Sequence, residues 1–190
     1  MLTPPTLLDP DAGLVGNLAS ADRSAREAAL RALMDRHAGT LHATATRMLG
    51  DAALAEDVVQ ETFLKVWNRA ADWKPGRAQF KTWLTRVTIN ACLDHLRRKR
   101  PATGVEMPEA VDETPLADAK MMSRDMQSQM RTLIDALPER QRAALILSLD
   151  KGLSQVEGAR ALGVSESAYE SLLVRARRTL RARFKEQRNG

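Results

Sequence analysis

The chain has one cysteine, Cys92, in 190 residues, so it can form no disulfide within itself, and a reducing setting is the default expectation. Aromatic residues are scarce at 4%, against 44% hydrophobic residues, so small helical domains with largely aliphatic cores are expected. No apolar run approaches the ~20 residues of a membrane span, which argues against direct membrane insertion. The start, MLTPPTLLDPDAG, lacks the basic beginning and apolar core of a signal peptide, so a cytoplasmic location is expected. Catalytic motifs are also missing. There is no phosphate loop and no nucleophile motif. Glu56, Asp57, Glu61, His37, His42 and His95 supply carboxylates and imidazoles, but none forms the Glu-x-x-His pair of dinuclear sites. Cys92 and His95 are spaced like half a zinc site, with no second pair to complete it. The expectation is a non-enzyme with no cofactor, no metal and no small-molecule substrate.

What is present is charge, and it is segregated. The formal net charge is +5 and the pI about 9.8. Residues Lys81 to Arg100 carry six Lys or Arg against one Asp, whereas Ala102 to Ser128 carry six acids against two bases. The basic stretch, Phe80 to Arg100, reads as a helix with Phe80, Leu84, Val87 and Ala91 on one face and Ile89, Leu93 and Leu96 nearly opposite. Between them runs an exposed strip of Trp83, Arg86, Asn90 and Arg97, and the helix closes on Arg97, Arg98, Lys99 and Arg100 before Pro101. Guanidinium groups, an amide and a ring on one strip suit a nucleic-acid strand.

Ahead of it, helices are expected over Asp11–Leu18 and Asp22–His37, the second ended by Gly39, and then over Thr40–Leu49, closed by Gly50. Asp51 caps a further helix to Ala70, with Ala55, Val59, Thr62, Phe63 and Val66 inward. Its free side aligns Asp57, Gln60, Glu61, Leu64 and Asn68, which is either a protein-docking surface or a solvated charged face. The loop Asp72 to Gln79 carries Trp73, Lys74 and Arg77. Trp73 either flanks a cleft for an unstacked base or plugs the core.

Pro101 to about Ser123, with three prolines and an acidic balance, reads as a flexible linker. The expected fold is therefore all-α: a helical domain at 1–100, a linker at 101–123 and a second helical domain at 124–190. In the latter, helix resumes near Asp125, and Pro138 opens another that runs to Leu149. Ser154 and Glu157 form a capping box, and Gly163-Val164-Ser165 turns into a last helix to about Phe184. A short helix, a glycine turn and a longer helix make a helix-turn-helix. The last helix presents Ser167, Glu170, Ser171, Val174, Arg178 and Arg181, with Arg175 and Arg177 at the edges. Seven Arg or Lys between Arg175 and Arg188 exceed what solubility needs. Glu170 repels phosphate, yet glutamate accepts from cytosine N4, and Val174 suits a thymine methyl.

AEDVVQETFLKVW and FKTWLTRVTINACLDHLRRKR resemble the second conserved region, and LPERQRAALILSLDKGLSQVEGARALGVS with LLVRARRTLRARF the fourth, of an extracytoplasmic-function (ECF) sigma factor of bacterial RNA polymerase. The resemblance covers nearly the whole chain, with two motif blocks in order around a variable linker. It implies that Asp57, Gln60, Glu61 and Leu64 dock on the core polymerase. It further implies that Trp73, Lys74, Arg77, Trp83, Arg86, Asn90, Arg97 and Arg98 capture the melted −10 strand, while Ser167, Glu170, Ser171, Val174, Arg175 and Arg178 read the −35 duplex. Promoter DNA and an anti-sigma factor are the other implied partners. The recognition helix departs from the family's frequent hydroxyl–aliphatic–basic opening, since it reads Ser167-Ala168-Tyr169-Glu170-Ser171. The competing reading is a dimeric helix-turn-helix regulator that acts without polymerase, which leaves the strip at Asp57 and Glu61 without a purpose.

Overall fold

The computed structural model describes residues 9–69, 73, 74, 78–99, 124–150 and 152–189. The segment read as a linker, together with Arg77 and Arg100, lies outside them. All regular structure among the described residues is helical, and the division between two compact units falls at Cys92–Leu93.

The first unit begins with α1 (Ala12–Asn17) and α2 (Arg23–Leu49). Asp22 caps α2, its carboxylate accepting from Ser24 N at 2.9 Å, and Gly50 closes it in the left-handed conformation at φ 70°. One expectation fails here, because α2 runs straight through Gly39, where two helices were anticipated. A glycine inside a helix costs only about 1 kcal/mol relative to alanine. Burial of Leu33, Leu41, Ala45 and Met48 on one continuous face outweighs that cost. Asp51 Oδ1 accepts from Ala53 N and Leu54 N at 2.9 and 3.1 Å and so opens α3 (Ala52–Arg69). The inward side of α3 is as expected, with Val58 added, and Arg26 of α2 stacks its guanidinium 4.2 Å from the Trp67 ring.

α4 (Phe80–Lys99) is covered differently from the two-faced reading. Phe80, Leu84, Ile89, Ala91 and Leu93 are buried, but so are Thr82, Thr85, Thr88 and Cys92, while Val87 and Leu96 are only half-buried. The threonines and the cysteine join the two apolar faces into one broad buried arc. Their hydroxyls cost little there because Thr85 and Thr88 donate to their own helix at Lys81 O (2.8 Å) and Leu84 O (3.0 Å). In α3, Thr62 does the same to Val58 O at 2.8 Å and lies 3.3 Å from the Thr88 hydroxyl, so α3 and α4 meet through a polar contact inside an apolar core.

The second unit contains α5 (Arg124–Asp135), α6 (Glu139–Ser148), α7 (Gln155–Leu162) and α8 (Glu166–Asn189). α8 is longer than expected and packs on α5, α6 and α7, with Tyr169, Leu173, Ala176 and Leu180 buried. Pro138 precedes α6, its carbonyl accepting from Arg142 N at 2.9 Å. Arg142 itself is buried and donates to the Asp135 carbonyl, clamping the end of α5 to the start of α6.

Candidate nucleic-acid and protein interfaces

On α3 the predicted docking strip is exposed at Asp57, Gln60 and Asn68 and half-exposed at Glu61. Leu64 stands among them at 62% exposure, the most open of the large hydrophobic side chains described. An aliphatic side chain that exposed, ringed by acids and amides, has the composition of a contact surface. Sequence reading missed one neighbour: Lys65 pairs with Glu61 at 2.8 Å and offsets part of the acidic charge. As a solvent-exposed i,i+4 pair it contributes little, about 0.3–0.5 kcal/mol.

On α4, Arg86, Asn90, Arg97 and Arg98 are exposed, as is Lys74 in the preceding loop. Helical spacing puts Asp94 within the same strip, 3.4 Å from Arg97. This carboxylate, the single acid of the basic stretch, divides the strip into Arg86–Asn90 and a basic end beyond it. The two tryptophans are covered to different degrees. Trp73 is 6% exposed, and its indole donates to Ala78 O at 3.0 Å, so the core plug is the reading that holds. Its ring meets Phe80 edge-on at 5.7 Å, and Trp83, half-buried rather than exposed, stacks on Phe80 at 5.5 Å with 26° between planes. Both rings gain more by closing over Phe80 than by standing in water, and that cross-element contact is invisible in spacing along one helix. The structure therefore brings Arg86 and Asn90 together on a surface beside an aromatic cluster in which Trp73 is buried and Trp83 half-buried.

Cys92 is buried, and burial pushes its thiol up to about 12, which makes it inert packing. His37 and Asp11, both buried, lie 2.7 Å apart (Nε2 to Oδ2), and Arg36 also donates to Asp11. Among the described residues no three His, Cys, Asp or Glu side chains gather to hold a metal ion, and no helix is long and apolar enough to cross a membrane.

In the second unit the helix-turn-helix forms as anticipated. The Ser154 and Glu157 capping box opens α7, with Glu157 accepting from Ser154 N at 2.8 Å, and Gly163 turns the chain at φ 69°. Ser165 Oγ accepts from Ala168 N at 3.2 Å at the start of α8. Tyr169 sets the distance between the two helices: its hydroxyl donates to Ala144 O at 3.1 Å, and its ring lies directly over the backbone of Gly158. Burial holds its phenol at about 12, which keeps it protonated as that donor. This locks the outward residues of α8 in place. Ser167, Glu170, Ser171, Arg175 and Arg178 are exposed and Val174 half-buried. The Ser171 hydroxyl donates to Ser167 O at 2.9 Å, so its proton is spent within the helix. Glu170 has no hydrogen-bond or ion-pair partner among the described residues and presents a bare carboxylate in the first turns of a basic helix.

Comparison with known proteins gives a consistent answer. The Sigma-70 region 2 family matches residues 33–102, and the Sigma-70 region 4 family matches residues 127–180. The ECF RNA polymerase sigma factor SigL of Mycobacterium tuberculosis is 34% identical over 86% of this chain and 93% of its own length. SigE of Mycolicibacterium smegmatis is 33% identical over 78% of this chain, which spans 59% of that relative. Among solved structures, CnrH in complex with the cytosolic domain of CnrY shares 29% identity at a TM-score of 0.66, covering 93% of this chain and 97% of that one. RpoE bound to the anti-sigma factor NepR, from Bartonella quintana, shares 26% identity at a TM-score of 0.61, over 82% of this chain and 96% of that one.

Proposed function

Because the chain belongs to the extracytoplasmic-function sigma factors of RNA polymerase, we propose that it is the promoter-specificity subunit of a cytoplasmic polymerase holoenzyme. It has no chemistry of its own. The α3 strip at Asp57, Gln60, Glu61 and Leu64 docks on core polymerase. The α4 strip at Arg86 and Asn90, with Lys74, Arg97 and Arg98 around it, captures the melted −10 strand, and binding of unstacked bases supplies the energy that holds the duplex open. The exposed first turns of α8 enter the major groove at the −35 element, with the arginines beyond them on phosphates. An anti-sigma factor restrains it, a reading supported by the similar RpoE structure, whose partner NepR is an anti-sigma factor.

The observation that carries this proposal is the presence, within the part matched to region 2, of two unlike surfaces. One is an acidic strip centred on an exposed leucine, and the other a basic strip with an amide at its middle. A DNA-binding dimer has use for the second but none for the first. Run-off transcription on genomic fragments, with core polymerase and with or without this protein, tests the proposal and reports the promoter sequence. Arg86→Ala or Asn90→Ala is expected to lower open-complex formation roughly tenfold, the loss of one or two charge-assisted or amide contacts, while polymerase affinity stays the same. Unchanged transcription from the recovered promoter would refute the assignment of the strip. Operator binding without polymerase would favour the dimeric regulator.

A further inference from the structure

The first N–H groups of a helix have no partner within it and must find one elsewhere. For α4 that partner comes from the far end of the unit: Phe80 N donates to the Asp9 carboxylate, 71 residues earlier in the chain. The other oxygen of the same carboxylate accepts from Asp11 N at 2.8 Å. Asp11 is in turn buried between Arg36 and His37 of α2, and Arg36 Nη1 also reaches Pro10 O at 3.3 Å. Asp9-Pro10-Asp11 is thus a three-residue strap, stiffened at its centre by proline, with one end on α2 and the other on the first turn of α4.

The location of that turn gives the strap its consequence. Phe80 is completely buried, with Trp73 and His37 edge-on to its ring and Trp83 stacked on it. Its side chain is held by the aromatic cluster and its backbone by Asp9, so the start of α4 is anchored at two points. Arg86 and Asn90 are carried on the same rigid helix, two to three turns on, and their placement follows from that anchorage. A negative charge at this helix terminus is also favoured by the macrodipole.

We infer that Asp9 is a positioning residue for strand capture: a helix cap delivered from the N-terminal segment that fixes the register of the −10-reading strip on α4. The inference rests on the function proposed above. The test compares Asp9→Ala, which removes both acceptors, with Asp9→Asn, which keeps one carbonyl oxygen, at a temperature where circular dichroism shows both to be folded. Amide hydrogen exchange of Phe80 to Leu84 is expected to quicken roughly tenfold in Asp9→Ala and less in Asp9→Asn, with α3 and α8 unaffected. Permanganate reactivity of thymines in a promoter recovered by run-off transcription is expected to drop several-fold in Asp9→Ala holoenzyme and to recover partly in Asp9→Asn. Affinity for core polymerase and for −35 duplex is expected to stay at the wild-type level. Wild-type exchange at Phe80 in Asp9→Ala overturns the inference, as does an equal loss of polymerase, duplex and strand binding, the mark of a merely structural residue. If Asp9→Ala does not fold, wild-type strand opening together with unmatched exchange in Asp9→Asn overturns it. If the wild-type protein recovers no promoter at all, the proposed function fails, and the role of Asp9 in strand capture falls with it even where the exchange result stands.

Discussion

In a Gly158→Ala protein the new methyl group would lie 2.6 Å from Tyr169 Oη and 2.8 Å from Cζ, well inside van der Waals contact. Two effects then oppose each other. Alanine is the better helix former by about 1 kcal/mol, and Gly158 sits within α7. Against this, the Tyr169 ring is 2% exposed and cannot swing into solvent to make room. Overpacking of that kind costs about 1–3 kcal/mol. A shifted ring also loosens the 3.1 Å bond to Ala144 O, and a buried hydroxyl left without its acceptor costs about 1–3 kcal/mol more. The balance is a destabilisation of about 1–5 kcal/mol. For a unit of this size each kcal/mol lowers the melting temperature by about 4–8 °C. Thermal denaturation followed by circular dichroism reads the shift, and loss of −35 duplex binding should accompany it, because Tyr169 sets the angle at which α8 leaves the turn. A double-mutant cycle with Tyr169→Phe is expected to show favourable coupling, since it removes the closest atom of the clash. A Gly158→Ala protein as stable as wild type, with intact duplex binding, would refute the argument that the ring is fixed over this backbone.

Alkaline pH should weaken the fold in a defined window. Burial raises Cys92 from 9.0 and Tyr169 from 10.0, each to about 12. The folded protein therefore keeps protons that the unfolded chain releases, so the stability these two groups contribute is fully present below about pH 9 and declines as the pH rises from there toward 12. Urea midpoints at pH 8 and pH 10.5 measure this. A Tyr169→Phe variant should flatten the upper part of the decline, and midpoints that do not move with pH would contradict the burial argument. At the promoter, Glu170→Gln is expected to move the preference at one −35 position from cytosine toward adenine, because an amide pairs with adenine N6 and N7 where a carboxylate accepts from cytosine N4. Selection of duplexes from a randomised −35 pool checks this, and an unchanged consensus would remove Glu170 from the base-reading set.

Legibility followed the range of the interaction. Asp51, Gly50, the Ser154 and Glu157 capping box and Gly163 act on backbone within four residues, and the helix ends they mark stand where the sequence puts them. Gly39 shows the limit of such local signals, since its preference for a break loses to burial along the face from Leu33 to Met48. The buried arc of α4 escaped a hydrophobic-period reading because Thr85, Thr88 and Cys92 do not register as apolar, although their polar groups are satisfied inside the helix or inert. The strips of exposed charge were legible, because charged side chains stay in water whatever the helix packs against.

By itself, the sequence determined the all-helical class, the helix-turn-helix and which faces carry Arg86, Asn90, Leu64 and Glu170, since these follow from local capping chemistry and from the preference of charge for solvent. Only the tertiary structure decided that Trp73 and Trp83 close over Phe80, that Tyr169 wedges against Gly158, and that Asp9 and Asp11 strap α4 to α2. Each of these joins residues on different elements, where no periodicity along the chain links one partner to the other.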